Sequence, residues 1–544
     1  MKLNKLVVSS LLLFFVIVIF VYYLASQPVD NNEASKLRHQ NRLVVASIGD
    51  ASNLIPYLSG DSASSEIQSY LYSSLLDIDK DKNLIPGLAT SWEISDDSKS
   101  ITFNLRDDVK WHDGVGFSAY DIEFQYKTMI DPDLLSAYKE PFLQIEELRV
   151  IDDFTFTVKY DQPYAPAITN LASLTGLPRH LFKDIDPADI ASSKFGRNPI
   201  GNGPYQFKLW KTQEKVVVTK NSNYHKQPKP YIDEVITVVI PDNTTQFLEL
   251  KSGSIDMMNL DPIQYQHESN SSYFNENFVK YKYLDNSYTY LGFNLKHELF
   301  KDKKVRQALA TAIDKEEIIK IALLGLGQAA TGPYKPGTWA YNDQVKRYPF
   351  NQDKATKILA EAGWRDSDND GILDKNGKKF SFTIVTNQGN NQRKKIAQII
   401  QQRLQDIKID VKIKVIEWSS FLENFINKRD FEAVVLGWSL GLDPDGYIIW
   451  HSSKTKEHEF NFISYANQEV DQLLELGRRT LNQSKRKEIY HKLQKILAEE
   501  QPYIFLYYPY ATPIVASKVR GIEPGAAGIA YNFDDWKIDT TISK

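Results

Sequence analysis

The sequence predicts an α/β protein of two lobes with a discontinuous first lobe, and three observations lead there. The chain has 544 residues, too many for one ordinary core, so two or three lobes are expected. Its first half is rich in short strand patterns and poor in long helices. Its second half alternates strands with amphipathic helices, the order that builds an α/β layer.

The strand patterns begin at Arg42, Leu43, Val44, Val45 and Ala46, which lead into Asn53, Leu54, Ile55 and Pro56. A hairpin follows over 150–160. Val150 and Ile151 precede the turn pair Asp152-Asp153, and Phe154, Phe156, Val158 and Tyr160 then alternate with threonine and lysine. Further strands are expected at 216–219 and 235–240. In the second half, Val305, Leu309, Ile313, Ile318 and Ile319 give residues 303–324 a helical period. Residues 380–386 read as a strand and 391–407 as a helix, with Ile396, Ile399, Ile400, Leu404 and Ile407 on one stripe. Ile409, Val411, Ile413 and Val415 alternate with charged residues as a half-exposed strand does. Residues 431–435 form another strand, which puts Gly437 and Trp438 just past its end. Two helices close the block, the second over 484–499 with Pro502 ending it. The strand-like segment 503–510 is expected to return to the first lobe. In such folds ligands bind between lobes, near the carboxyl ends of strands.

Composition narrows the functions. With 65 basic and 69 acidic residues the net charge is −4, which gives no footprint for nucleic acid. The absence of cysteine rules out disulfides, thiolate catalysis and a lipidated N-terminal cysteine. The nine histidines show no metal-ligand spacing. The 30 Tyr, 27 Phe and 9 Trp mostly fill cores, and the remainder are available to line a cleft, where flat amphipathic rings bind varied ligands.

At the N-terminus, Lys2 and Lys5 precede an apolar run from Leu6 to Ala25, broken only by Ser9 and Ser10. A cleaved signal peptide has an apolar stretch of roughly 7–15 residues and a small-residue exit. This run approaches the roughly 20 residues that span a bilayer, and its exit, Tyr23-Leu24-Ala25-Ser26, is bulky. The tyrosines suit an interfacial belt and the lysines the cytoplasmic side. Residues 1–26 are therefore read as an uncleaved membrane anchor in preference to a signal peptide, and 27–41 as a polar tether. Both readings leave the rest of the chain outside the cytoplasmic membrane.

Three motifs admit chemistry. Asp366, Asp368, Asp370, Gly371 and Asp374 have spacing that can wrap calcium, although the glutamate expected at the twelfth loop position is Gly377. The alternative is a solvated turn. Gly437-Trp438-Ser439-Leu440-Gly441 matches the bare G-x-S-x-G pattern of a nucleophile elbow. The next segment, Leu442-Asp443-Pro444-Asp445-Gly446, has turn formers where a helix should start. Asp443 and Asp445 read as a turn, as a glycosidase pair, or as a fixed negative charge facing a ligand ammonium group.

Several segments in order resemble the family-five extracellular solute-binding proteins, the peptide and nickel receptors of ABC importers. Leu88-Ala89-Thr90-Ser91-Trp92-Glu93 is followed by Ile101-Thr102-Phe103-Asn104-Leu105-Arg106, by Val109-Lys110-Trp111-His112-Asp113-Gly114, and by Phe117 through Ile122. Asn198 through Tyr205, Leu250 through Asp256, Val305-Arg306-Gln307-Ala308-Leu309, Gly363-Trp364-Arg365-Asp366 and Gly437-Trp438 with Asp443-Pro444-Asp445 complete the set. The resemblance implies a periplasmic-binding-protein-like clamshell with a cleft between its lobes. Domain I would comprise 42–59, 199–288 and 507–544. Domain II, 60–198, would carry the signature, and domain III, 289–506, would close over the ligand. It implies a monomeric periplasmic receptor, not an enzyme and without cofactor, that captures peptides and hands them to ABC permease subunits. Another small solute, such as a nickel chelate or a sugar, and an extracytoplasmic hydrolase are the alternatives. The ligand-binding residues it implies are Asn53 and Leu54 for backbone pairing, Trp418 and Trp438 for stacking, and Asp443 for the peptide ammonium. The chain departs from the pattern at one place. Family peptide receptors often have an aspartate three residues after the G-W tryptophan, and here that residue is Gly441. Trp92, Trp111, Asp113 and Asp121 are expected to be scaffold.

Overall fold

Three sheets, each explained by a different burial pattern, organise the protein. The computed structural model describes residues 41–541. The expected anchor and nearly all of the tether lie outside the described residues, among which no helix is long and apolar enough to cross a membrane. Everything below lies in the compact unit Arg42–Ile538.

The first sheet has seven strands in the order Phe278–Lys280, Pro513–Ala516, Met257–Asn259, Arg42–Ser47, Glu234–Val239, Lys215–Lys220 and Tyr205–Lys211. Its central pair is parallel, with Leu43 opposite Val235 and Val45 opposite Thr237. The apolar runs Leu43-Val44-Val45 and Val216-Val217-Val218 are buried, as in a strand covered on both faces.

The second sheet is antiparallel, in the order Ala89–Ile94, Ser100–Leu105, Thr155–Lys159, Glu147–Asp152. Period-two alternation sends Ile101, Phe103, Phe156 and Val158 into the core, where Phe103 stacks on Phe156 at 5.1 Å. Thr102 and Thr157 meet on the other face through their hydroxyls at 2.9 Å. The signature residues brace this region. Trp111 is buried and donates its Nε1–H to Asp121 at 3.3 Å. Asp121 also accepts from the Ser118 N–H at 2.9 Å as part of a capping box on helix Ala119–Ile130. His112 binds Gly201 and Gly203 across the chain. Gly201 is required there, because a Cβ would stand 1.9 Å from the Leu71 carbonyl oxygen.

The third sheet is ordered Tyr283–Leu284, Tyr503–Ala511, Ser287–Phe293, Ala433–Ser439, Ser381–Asn387, Asp410–Ile416, with Gly327–Ala329 also pairing Tyr503–Ala511. Ser381–Asn387 and Asp410–Ile416 are parallel neighbours, and helix Asn391–Gln405 makes the crossover between them with Ile396, Ile400 and Leu404 buried.

Three expectations need correction. Segment 503–510 does not return to the first lobe. Residues 503–508 are buried throughout, so the strand suits the middle of the third sheet, and Pro513–Ala516 makes the return. The expected helix over 303–324 is divided. Lys303–Ala312 ends at the extended Ile313, and Asp314 caps a new turn by accepting from the Glu317 N–H at 3.1 Å. The strand expected to stop at Val435 continues to Ser439, which places Gly437 and Trp438 within it.

Two antiparallel connections join the first and third sheets. They are the chain segments 280–283 and 511–514, side by side, with Lys280 opposite Ile514 where they leave the first sheet and Tyr283 opposite Ala511 where they enter the third. So few backbone crossings suit a hinge.

Candidate functional site

A cavity of about 2170 Å³ lies between the lobes. Ligand pockets for drug-sized molecules run to roughly 1,000 Å³, so this one is built for something larger. Its walls come from the segment after strand Arg42–Ser47, from helix Ser62–Leu71, from the second-sheet side around Tyr138, and from the third-sheet strand ends.

Both expected tryptophans line it. Trp438 projects from strand Ala433–Ser439, donates its Nε1–H to the Tyr503 hydroxyl at 3.3 Å, and stacks on Phe462 with ring centroids 5.7 Å apart. Its edge contact with Phe460 at 5.3 Å continues through Phe460 to Tyr138 at 5.0 Å, so an aromatic seam crosses from the third-sheet lobe to the second-sheet lobe. Trp418 stands at the start of the short helix Trp418–Ser420, capped by Glu417. It presses on Gly49, where a Cβ would lie 2.7 Å from its Cδ1. A side chain at 49 would therefore hold the lobes apart.

The strand bearing Trp438 has an open edge. It pairs with Ser287–Phe293 along its full length. On the other side it meets Ser381–Asn387 only at Ala433 and Val434. Leu436, Gly437, Trp438 and Ser439, which line the cleft, have no ladder partner on that side among the described residues. Ser439 is thus the last residue of a strand, followed by a turn; the strand–elbow–helix geometry of a hydrolase nucleophile is not formed there.

Asn53 and Leu54 are placed otherwise than expected for pairing with a ligand. Asn53 lines the cavity, but its Nδ2 donates to the Ala191 carbonyl at 2.8 Å, its Oδ1 accepts from the Ile55 N–H at 2.8 Å, and its carbonyl accepts from Gln68 at 3.0 Å. Leu54 is 0 % exposed and donates its N–H to the Gly196 carbonyl. Both residues are committed to the wall itself.

Asp443 lines the cavity, but its charge is answered within the chain. Arg486 grips it as a fork, with contacts of 2.5 and 2.6 Å. Burial pushes the Asp443 carboxyl above the usual range in spite of this fork. Beside it, Asp445 accepts from Arg478 Nε at 2.8 Å. Arg478 Nη1 reaches across to Glu140 at 2.9 Å, and Lys454 reaches the other Glu140 oxygen at 2.6 Å. The Arg478 guanidinium lies 3.7 Å from the Tyr447 ring centroid. Glu140 belongs to the second-sheet lobe and its partners to the third, so these charges clasp the lobes together. The Ala165 N–H donates to the Arg478 carbonyl at 2.6 Å in the same place.

Arg393 is a cleft residue that the motif search missed. It sits in the first turn of helix Asn391–Gln405, directly beyond strand Ser381–Asn387, and Nη1 donates to Asn387 Oδ1 at 2.8 Å. It forms no ion pair among the described residues, and burial pulls its guanidinium below the ordinary value. The rule placing ligands at carboxyl ends of parallel strands would have found it.

The aspartate loop does not fit calcium. Oxygens of Asp366, Asp368 and Asp370 lie within 4.8 Å of one another. However, Lys379 Nζ contacts Asp368 at 2.5 Å and Asp370 at 2.7 Å, and Lys408 contacts Asp366 at 2.7 Å. Asp374 turns away to accept from the Ser367 N–H and hydroxyl. Ammonium groups take the place expected for the ion, and the fourth carboxylate does not converge.

Two lobes clasped over a large, aromatic, strand-edged cleft define a solute-binding receptor. The chain belongs to the family 5 bacterial extracellular solute-binding proteins, whose middle-region model matches residues 83–459. It is 36 % identical over 514 residues to the oligopeptide-binding protein AppA of Bacillus subtilis, covering 92 % of each chain. It is 29 % identical over 481 residues to heme-binding protein A of Haemophilus influenzae, covering 83 % of this chain and 84 % of that one. The structure of AppA from Bacillus subtilis with a nonapeptide superposes with a TM-score of 0.87, covering 91 % of this chain and 98 % of that one. NikZ from Campylobacter jejuni with Ni(L-His) gives 0.83 at 29 % identity, covering 92 % and 99 %.

Proposed function

We propose that this protein captures peptides outside the cytoplasmic membrane and delivers them, as a monomer and without chemical change, to the permease subunits of an ABC importer. The observation that carries this is the open strand edge Leu436–Gly437–Trp438–Ser439 facing a cavity of about 2170 Å³. An extended peptide adds to such an edge through backbone hydrogen bonds, which recognise any sequence. Trp418 and Trp438 supply the apolar walls. Asn53, through its own hydrogen bonds, and Asp443, through Arg486, shape the wall instead of pairing with the ligand backbone and its ammonium group, and Arg393 is the group placed to meet a peptide carboxylate. Domain I, domain II and domain III are assigned to the first, second and third sheets. The span 1–26 is assigned as an uncleaved anchor on its length and bulky exit.

A second reading, capture of a metal chelate or another small solute, is favoured by the likeness to NikZ with Ni(L-His). Mass spectrometry of ligands released from purified protein separates the two. Peptides support capture of peptides, and a stoichiometric metal complex in their place would replace it. The same measurement on the intact chain tests the anchor, which fails if the mature mass lacks residues 1–26.

A further inference from the structure

Helix Ser62–Leu71 is capped by Asp61 and turns one stripe to the cleft, where Ser62, Ser65, Glu66 and Ser69 all line the wall. These positions are i, i+3, i+4 and i+7, so they share one face. The serines are short, which leaves Glu66 the one long side chain of the stripe. Its Oε1 accepts from the Tyr70 hydroxyl at 3.2 Å. The Tyr70 ring in turn packs on Phe533 at 4.7 Å, and both rings line the cleft. Glu66 has no ion pair with any described residue, and no cationic neighbour offsets the burial that holds its carboxyl above the ordinary range.

Four other carboxylates of the cleft are treated differently. Asp77 is paired by Lys226, Asp535 by Lys229, Asp445 by Arg478 and Asp443 by Arg486. A carboxylate withdrawn from water without a counter-ion is costly unless a cation arrives with the ligand. Beside it, aromatic faces add a surface that cations favour.

We propose that Glu66 is a subsite for a cationic group of the bound ligand, an ammonium or a guanidinium, so that the receptor prefers peptides that bring one to helix Ser62–Leu71. This rests on the reading that the cleft takes peptides. The test is calorimetric titration of the full chain and of Glu66→Gln with three sets of nonapeptides. One set is neutral and N-acetylated, one is the same set with lysine placed at each position in turn, and one is neutral with a free N-terminus.

Wild type is expected to bind at least one cationic peptide roughly tenfold tighter than its neutral parent. Glu66→Gln keeps an acceptor for Tyr70, so it should melt at the same temperature, bind the neutral peptide unchanged and lose the preference. A lysine-dependent preference identifies a side-chain subsite, and one requiring the free N-terminus identifies an ammonium subsite. Glu66→Lys, as a second variant, should reverse the order. Equal affinity for all three sets, or a preference that survives in Glu66→Gln, overturns the proposal and leaves peptide capture standing. No binding by any set removes the peptide reading and this inference with it.

Discussion

The cleft handles charge in two opposite ways at different points of its wall. Around the Asp443–Asp445 turn every charged group has a partner in the chain: Arg486 on Asp443, Arg478 on Asp445 and Glu140, Lys454 on Glu140. At Glu66 and Arg393 the charges face the cavity without an ion pair among the described residues. A saturated cluster can fix geometry and hold lobes shut, but it has nothing left to offer a ligand. An unsaturated one costs the empty protein something and discriminates among guests. The difference teaches that a carboxylate at a motif position need not be the one that meets the ligand.

The saturated cluster gives the largest expected effect. Arg478→Ala leaves Asp445 without an ion pair and Glu140 with Lys454 alone, both carboxylates largely buried, and removing one member of a buried ion cluster costs about 3–5 kcal/mol. Urea unfolding followed by tryptophan fluorescence measures it. Because Arg478 spans two lobes, the variant should also close less readily on ligand. A stability loss below about 1 kcal/mol would show these contacts to be interchangeable with water and dissolve the contrast.

A scaffold histidine supplies a second effect, remote from both groups of cleft charges. Burial drops the His112 imidazole from its ordinary 6.5 to about 4. With Nδ1 accepting from the Gly201 N–H, the proton sits on Nε2, directed at the Gly203 carbonyl. The unfolded ring protonates near pH 6.5 and the folded ring only near pH 4, so the unfolded state binds more protons between these values. The stability this contributes is therefore complete above pH 6.5 and is lost as pH falls toward 4, by roughly 3 kcal/mol in all. His225, lowered by burial to about 3, acts in the same direction over an interval that extends further into acid. Comparing His112→Gln with wild type isolates the share of His112. Superimposable stability–pH curves would remove it.

Trp438→Ala comes next. Tryptophans at the centre of an interface commonly contribute about 2 kcal/mol or more, roughly 30-fold in affinity. Calorimetry with a neutral nonapeptide should show that loss, with the urea midpoint moved far less than by Arg478→Ala. Unchanged affinity would take Trp438 out of the site and return the aromatic seam to a purely structural role.

How much of this was legible depended on the range of the interaction. The strands at 42–47, 215–220 and 234–239, the hairpin at 147–159 and helix Asn391–Gln405 all follow from local periodicity and appear where it puts them. The division of the 303–324 helix was missed because a stripe of five apolar residues at helical spacing runs past Asp314, whose capping bond outweighs it. The destination of Tyr503–Ala511 depends on pairing with residues more than 200 positions away, about which periodicity is silent. In the site, Trp438 was legible because it belongs to a recognisable motif, and Trp418 only through its position in the family resemblance. The partner of Asp443 was not, since Arg486 lies 43 residues on, in a helix that reads as ordinary surface. Glu66 lies in no motif at all; only burial without a counter-ion singles it out.

The smallest expected effect probes the other unsaturated charge. Arg393 Nη1 is held by Asn387 Oδ1 at 2.8 Å, and Nη2 lies 3.1 Å from where a Cβ on Gly437 would stand. Its guanidinium is therefore fixed beside the open strand edge, and Gly437 keeps that approach clear. A ligand carboxylate reaching this point gains a charge-assisted bond in a partly desolvated site, worth about 1 kcal/mol, or roughly fivefold in affinity. Arg393→Gln should weaken binding of a nonapeptide with a free C-terminus by that factor and leave its C-terminally amidated counterpart unchanged. Equal losses for the two would show that Arg393 supports the strand edge instead of reading charge. The contrast between paired and unpaired cleft charges would then rest on Glu66 alone.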